Sequence, residues 1–384
     1  MTDPLLSVRN LHAQFDDGDE TVRAVDGVSF AVDRGETVCL VGESGSGKTV
    51  TCESLTRLVS ATLDGEIRFD GRDLLDLDAD ALRGVRGAGI AHVFQNPQSA
   101  LDPVYSVGEQ LREAVERNRD LSGEDAREVA VDLLDGVGIP DAATRYDDYP
   151  HEFSGGMKQR AVIATALAGD PDLLVADEPT TALDVTIQAS ILDLLRELQD
   201  ERDVAVLFVT HDLGVAAQVA DRIVVMYGGK VMERGPVEDV FESPGHPYTR
   251  ALMRCLPGVG SALDPISGDP VDPSDPPSGC RFHPRCPAAV ADCETGDQPP
   301  LSDVEGGLGA GRDGDHRASC VFYGPDRDPD VGLGDLDANA GEPDAADPSA
   351  DPDPADPSAD PDPADPSAES HAAERAPATE EGDR

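Results

Sequence analysis

Gly42-Glu43-Ser44-Gly45-Ser46-Gly47-Lys48-Thr49 fits the pattern GxxxxGK[ST]. It follows a short apolar run, Thr37 to Val41, that reads as a strand. It precedes helical periodicity from about Thr49 to Leu58. A glycine loop between strand and helix lets backbone N–H groups close around phosphate oxygens, and the helix N-terminus adds a fixed partial positive charge. Gly42 to Val50 are therefore expected to hold the phosphates of a nucleotide. Lys48 would reach the β- and γ-phosphates and the Thr49 hydroxyl would bind Mg²⁺. The chain has only three lysines, Lys48, Lys158 and Lys230, so one stands at this loop.

Two further stretches belong with it. Leu173-Leu174-Val175-Ala176-Asp177-Glu178 reads as a buried strand that delivers two carboxylates at its carboxyl end, where open α/β sheets bind ligands. Asp177 would hold Mg²⁺ and Glu178 would orient and polarise the attacking water. Alone, such a pair is an ordinary solvated loop; its meaning comes from lying downstream of the phosphate loop. In Phe153-Ser154-Gly155-Gly156-Met157-Lys158-Gln159-Arg160, Ser154 is a good N-cap for a helix to about Ala168.

Around these, residues 5–35 alternate as half-buried strands do, residues 95–170 look mainly helical, and Val204–Val209 reads as another buried parallel strand after a helix at 185–200. Ile223–Tyr227, Gly228-Gly229 and Lys230–Glu233 read as a β-hairpin.

Ser154-Gly155-Gly156-Met157 followed by Lys158-Gln159-Arg160 resembles the signature of ATP-binding-cassette (ABC) ATPases. The other motifs of that family fall in its order: Gln95 for the Q-loop, Thr181-Ala182-Leu183-Asp184 for the D-loop and His211 for the switch histidine. The resemblance covers about residues 5–257. It implies two cassettes paired head to tail, with Ser154, Gly155, Gly156 and Asp184 of one facing ATP held by the other. It also implies that His211 contacts the γ-phosphate, that Gln95 touches Mg²⁺ and couples to a membrane partner, and that Phe15 stacks on adenine.

Ser243-Pro244-Gly245-His246-Pro247-Tyr248-Thr249 is similar to the His-Pro-Tyr motif of oligopeptide, dipeptide and nickel importer ATPases, as is Val93–Pro103 to their extended Q-loop. Without the family, the His-Pro-Tyr stretch is a loop with a helix start. Cys280, Cys286, Cys293 and Cys320 are spaced x5, x6 and x26 in a polar, proline-rich segment that would need a staple. Their spacing matches neither C-x2-C zinc pairs nor standard ferredoxin runs. Cys280–Pro287 resembles the C-terminal cysteine motif of peptide-importer ATPases, which implies a [4Fe–4S] cluster; zinc and free thiols are the alternatives. Cys39 and Cys52 read as buried small residues.

Acidic residues number 77 and basic ones 30, a net charge of −47. Residues 324–384 carry −16 of this and residues 1–323 carry −31. So acidic a chain lacks the footprint of a nucleic-acid binder and does not adhere to anionic lipid. Acidity with almost no lysine suggests a cytosol of very high salt, where carboxylates hold water and counterions and their repulsion is screened. From Ala346 the unit ADPSADPDP occurs twice and begins a third time, a composition that cannot bury enough apolar surface to order itself. No segment has the ~20 apolar residues of a membrane span, and Met1-Thr2-Asp3-Pro4 does not open a signal peptide.

The expected fold is α/β, a P-loop nucleotide-binding domain of the ABC type: a mixed sheet core, an N-terminal antiparallel β subdomain and a helical signature subdomain at about 96–160. The ATPase domain spans 5–257, a cysteine-rich region 258–323, and a disordered acidic tail 324–384. The expected function is ATP hydrolysis driving uptake of di- or oligopeptides or a related solute. The expected partners are two transmembrane permease subunits, a second cassette (paralogue or self) and an extracellular solute-binding protein, with no nucleic acid. The expected place is the cytoplasmic face of the cell membrane. A ribosome- or DNA-associated ATPase, or an importer of nickel or oligosaccharide, are the alternatives.

Overall fold

In the computed structural model the strand leading into the glycine loop lies in the middle of the main sheet. Described are residues 3–256 apart from 19, 96 and 182, residues 266–304 and 316–324, and Pro329 and Leu333. All lie in one unit, Met1–Gly341; the repeats of the expected tail, in a second unit from Glu342, fall outside the described residues.

The chain begins with strands β1 (Leu6–Asp17), β2 (Glu20–Val32) and β3 (Thr37–Val41), then helix α1 (Lys48–Leu55), β4 (Thr62–Phe69), β5 (Arg72–Asp73), α2 (Ala79–Val85) and β6 (Ile90–Val93). A helical stretch follows: α3 (Pro97–Ala100), α4 (Val107–Asn118), α5 (Gly123–Gly136), α6 (Ala142–Arg145) and α7 (Gly155–Leu167). Next come β7 (Leu173–Asp177), α8 (Val185–Arg202), β8 (Ala205–Thr210), α9 (Leu213–Val219), β9 (Arg222–Tyr227), β10 (Lys230–Pro236), α10 (Val237–Glu242) and α11 (Pro247–Arg254). Two short strands follow, β11 (Ser302–Asp303) and β12 (Arg317–Ala318), and a 3-10 turn at Val321–Tyr323 ends the described order.

Among the described residues the main sheet runs β11-β12-β10-β9-β3-β8-β7-β6, and a second sheet runs β2-β1-β4-β5. Strands β9, β3, β8, β7 and β6 pair in parallel, so their carboxyl ends meet at one edge. Their side chains alternate between two cores, as strand geometry requires. Cys39, Val41, Leu174, Ala176, Val206 and Phe208 face the helices α4, α5, α7 and α8. Val38, Leu40, Leu173, Val175, Leu207 and Val209 face α1 and the antiparallel sheet.

Local chemistry sets the helix starts. Ser106 Oγ caps α4 through the Glu109 N–H (3.2 Å), Asp184 caps α8, and Asp212 caps α9 through the Gly214 N–H (2.7 Å). Each such cap contributes about 1 kcal/mol. Helix α1 stops at Leu55 rather than Leu58 because Arg57 takes a left-handed conformation, φ +52°. Strand β4, which the sequence reading passes over, pairs antiparallel with β1.

The cysteine-rich region is attached to the cassette. Strand β12 pairs with β10, and Cys280, Phe282 and Cys293 lie in the helix-side core. Beyond 324, buried Leu333 packs with Cys320 and Phe322, and its carbonyl accepts from Arg250 Nη1 at 3.1 Å. No described helix is long and apolar enough to cross a membrane.

Candidate functional site

The parallel register assembles the site. Val41 lies beside Thr210, Asp177 beside Val209, and Val93 beside Ala176. The chain therefore leaves four strands at one level: into the glycine loop after β3, into Gln95 after β6, into Glu178 after β7 and into His211 after β8. This is the sheet edge at which α/β folds bind ligands.

Gly47, φ +97°, precedes α1; a Cβ on it would lie 2.4 Å from the Ala24 carbonyl oxygen, so only glycine fits. No side chain caps α1 and its first turn holds no acid, which leaves backbone N–H groups free for an anion. Lys48 is buried. Its ammonium donates to the carbonyls of Gly42 (2.7 Å) and Glu43 (2.9 Å). Burial pulls its pKa below the usual lysine value, against the attraction of Glu178 and Asp177. The ammonium also reaches the Ser46 hydroxyl at 3.4 Å, and a cation held by neutral oxygens alone can turn to phosphate oxygens at little cost.

The magnesium residues meet in part. Thr49 hydrogen-bonds the Asp177 side chain, and Asp177 Oδ1 is buried with no partner. Burial is the main force that raises the Asp177 carboxyl, helped by the charge of Glu178. An orphaned carboxylate oxygen beside a threonine hydroxyl fits a divalent cation with oxygen ligands. Gln95, the third expected ligand, instead donates from Nε2 to Glu178 Oε2 at 2.8 Å.

Glu178 sits at φ +46°, a strained backbone for a residue with a Cβ. Burial opposes its charge, but bonds from Thr181 Oγ1 (2.9 Å) and His211, whose Nδ1 lies 3.3 Å from Oε1, hold its carboxyl below the usual glutamate value. Gln95, Glu178 and His211 thus form one group beside the loop. The bond from Thr181 is a part of the site that its motif did not reveal.

Ser154 caps α7 through the Met157 N–H (3.3 Å), and Ser154 and Gly155 are exposed. Gly156 is buried, and a Cβ on it would lie 2.8 Å from Ile187 Cγ2, so its glycine lets α7 press on α8. Asp184 Oδ1 accepts from the Thr186 (3.1 Å) and Ile187 (3.0 Å) N–H groups. Among the described residues no hydrogen bond or ion pair joins Ser154, Gly155, Gly156 or Asp184 to the glycine loop. Phe15 lies half-buried on β1, paired with Val22.

The His-Pro-Tyr stretch is structural. His246 Nδ1 caps α11 by accepting from the Tyr248 N–H (3.0 Å), Pro247 opens the helix, and the hydroxyl oxygen of fully buried Tyr248 accepts from the Glu43 N–H (2.9 Å). Glu233, fully buried, accepts from the N–H groups of Gly245 and His246, each at 2.7 Å, and pairs with His316.

No disulfide forms among the cysteines. Among the described residues no group of three or more His, Cys, Asp or Glu side chains stands at the spacing that holds a metal ion. The four C-terminal cysteines are nonetheless near enough that Cys320 feels Cys280, Cys286 and Cys293. Burial, with these neighbours, pushes the Cys286 and Cys320 thiols up to about 12. Backbone N–H groups of Phe282, Ala288 and Phe322 point at Cys280, Cys286 and Cys320. N–H donors aimed at sulfur suit thiolates more than thiols, so the donor set is compatible with thiolate ligands.

Comparison with known proteins agrees with this geometry. Residues 25–181 match the family model described as ABC transporter, and residues 232–293 match the oligopeptide/dipeptide transporter C-terminal region. A dipeptide transport ATP-binding protein of Bacillus subtilis is 50% identical over 297 residues, 76% of this chain and 89% of that protein. A putative peptide import ATP-binding protein of Brucella abortus is 47% identical over 312 residues, 80% of this chain and 93% of that protein. Among solved structures, a dimeric ATP-binding cassette in a post-hydrolysis state with ADP and Pi superposes with a TM-score of 0.55 at 32% identity, covering 60% of this chain and 98% of that one. Part of a Clostridium perfringens ABC transporter complex gives 0.54 at 28% identity, covering 63% and 92%.

Proposed function

Because the chain belongs to the ABC transporter ATP-binding proteins of the oligopeptide/dipeptide importer type, we propose that it is the ATP-hydrolysing subunit of an importer for di- or oligopeptides. The observation that carries this reading is the union of Gln95, Glu178 and His211 by hydrogen bonds beside the glycine loop.

In this reading Gly42 to Val50 wrap the ATP phosphates, and Lys48 shifts from its two carbonyls to the β- and γ-phosphate oxygens. Thr49 and Asp177, joined by Gln95 once it leaves Glu178, would hold Mg²⁺, which would supply positive charge against the phosphate oxygens. Glu178, kept ionised by Thr181 and His211, takes a proton from the attacking water. His211 reports the γ-phosphate to α9, which begins two residues later. Phe15 supports the adenine.

The exposed Ser154 and Gly155, unlinked to their own loop, face the ATP of a second cassette, self or paralogue. A groove of about 730 Å³ between β6, α3, α4 and α7 is the surface offered to a permease subunit. Phe94, Val104 and Tyr105 are exposed beside it, 44%, 69% and 55%, and Gln95 adjoins it. The chain then works at the cytoplasmic face of the membrane, with two permease subunits and an extracellular solute-binding protein.

Cys280, Cys286, Cys293 and Cys320 would hold a [4Fe–4S] cluster, which supplies a cross-link for a segment that has little core of its own, and a redox centre. Iron and acid-labile sulfide in anaerobically purified protein test this against zinc or free thiols. The acidic surface fits a high-salt cytosol; Lys48 is buried and Lys158 and Lys230 are partly so.

The test is Mg²⁺-dependent phosphate release from ATP at high KCl. The rate per chain is expected to rise with the concentration of this chain or on addition of a paralogous cassette. A rate independent of both contradicts the paired site.

A further inference from the structure

Arg285 lies outside every cassette motif, in the run Cys280-Arg281-Phe282-His283-Pro284-Arg285-Cys286, yet its guanidinium rests against the glycine loop. A guanidinium has five N–H donors, and here each has a partner. Two form a bidentate pair with the Glu43 carboxylate at 2.7 and 3.1 Å. One reaches the Tyr227 hydroxyl at 3.1 Å, and two reach the carbonyls of Ile266 (3.1 Å) and Ser267 (3.0 Å). The Arg285 side chain is only 5% exposed, and Glu43 is 26% exposed.

Glu43 is held on its other sides as well. Its N–H donates to the Tyr248 hydroxyl and its carbonyl accepts from Lys48, both at 2.9 Å. Tyr227, Tyr248 and Phe282 pack ring against ring, with centroids 4.7 to 5.3 Å apart, and fix the Arg285 turn to the sheet. Arg281 makes a second tie: it pairs with Asp26 at 2.5 Å, the Asp26 N–H donates to the Gly229 carbonyl, and the Gly229 N–H donates to the Ser46 carbonyl. The cysteine-rich turn thus holds the loop at Glu43 directly and at Ser46 through three bonds.

We infer that Arg285 is a positioning residue for the phosphate loop, and that through its pair with Glu43 ATP binding by the cassette depends on the cysteine-rich segment. A loop built to receive a triphosphate carries a liability in Glu43, whose charge repels the ligand. A bidentate, fully bonded arginine neutralises that carboxylate and fixes its direction, and with it the backbone that cradles phosphate. The inference takes as given that residues 42–50 bind ATP. Lys48→Ala with unchanged ATP affinity breaks that reading, whereas the results below break only this one.

The experiment compares the full chain with Arg285→Ala, Arg285→Lys, Glu43→Gln and the Glu43→Gln/Arg285→Ala pair. It measures affinity for a fluorescent ATP analogue, KM and kcat for ATP, and melting temperature. Arg285→Ala is expected to weaken ATP binding and raise KM about tenfold while kcat changes much less. Arg285→Lys keeps the charge but not the two-pronged geometry, and is expected to lose about threefold. The double variant is expected to be no weaker than Arg285→Ala, because Arg285 acts through Glu43. A merely structural role would lower the melting temperature and leave KM unmoved. Affinity within about twofold of the parent in Arg285→Ala overturns the inference, as do losses that multiply in the double variant. If Arg285→Ala does not fold, unchanged affinity in a folded Arg285→Lys variant overturns it.

Discussion

Replacing Glu178 by glutamine removes a charge and leaves the shape. Glu178 Oε2 accepts from Gln95 (2.8 Å) and Thr181 (2.9 Å), while Oε1 faces His211 at 3.3 Å. A glutamine oxygen in the place of Oε2 keeps both accepted bonds, and its NH₂ group can donate to His211 Nδ1. The hydrogen-bonded group therefore survives, and folding stability should move by no more than about 1 kcal/mol. What is lost is the base. A positioned general base contributes about 10²- to 10⁴-fold, so the barrier should rise by about 3–5 kcal/mol. The assay pairs steady-state phosphate release at saturating Mg²⁺–ATP with nucleotide affinity in the same preparation. The expected result is turnover lower by at least about a hundredfold with ATP affinity unchanged. Turnover within about tenfold of the parent, in a variant that binds ATP normally, would refute the role given to Glu178.

Gly47→Ala should cost ATP binding about tenfold or more, because the new Cβ meets the Ala24 carbonyl oxygen at 2.4 Å and φ is +97°; isothermal titration with a non-hydrolysable analogue checks it. Asp177→Asn should raise the Mg²⁺ concentration needed for half-maximal activity by about tenfold or more. The parent should need more Mg²⁺ as pH falls, since burial raises the Asp177 carboxyl above the usual aspartate value and a protonated carboxyl binds the cation less well. Burial depresses His92 to about 4, below its unfolded value near 6.5. The unfolded chain therefore binds a proton that the folded chain refuses, and stability should fall between pH 6.5 and 4 by about 1.4 kcal/mol per pH unit from this residue. His92→Gln should flatten that slope in denaturant melts by the same amount. The melting temperature of the chain should rise between dilute buffer and about 2 M KCl as screening removes carboxylate repulsion; no rise would remove the high-salt reading.

The local signals in the sequence were those that depend on neighbours a few residues apart. Thr37–Val41 with its glycine loop, the capped start of α7 at Ser154 and the Gly228-Gly229 hairpin each place a strand, a turn or a cap by its own chemistry. Strand β4 was less legible because most of Thr62–Phe69 is exposed or half-exposed, which blurs the alternation; β6 is only four residues long. Strand β12 has two residues and exists only because β10 offers an edge. In the site, motif order named Gln95, Glu178 and His211, and the parallel register explains why they meet. The pair between Glu43 and Arg285 spans 242 positions, and nothing in either local stretch announces it. The aromatic packing of Tyr227, Tyr248 and Phe282 that makes it possible is a property of the folded sheet.

The most direct measurement is uptake of a labelled dipeptide into proteoliposomes that hold this chain with its permease subunits, ATP inside and binding protein with peptide outside. The expected result is accumulation that requires ATP and Mg²⁺, with phosphate release stimulated by the peptide, and loss of both when this chain carries Glu178→Gln. Accumulation that continues undiminished with Glu178→Gln, or ATP hydrolysis indifferent to peptide and permease, would contradict it.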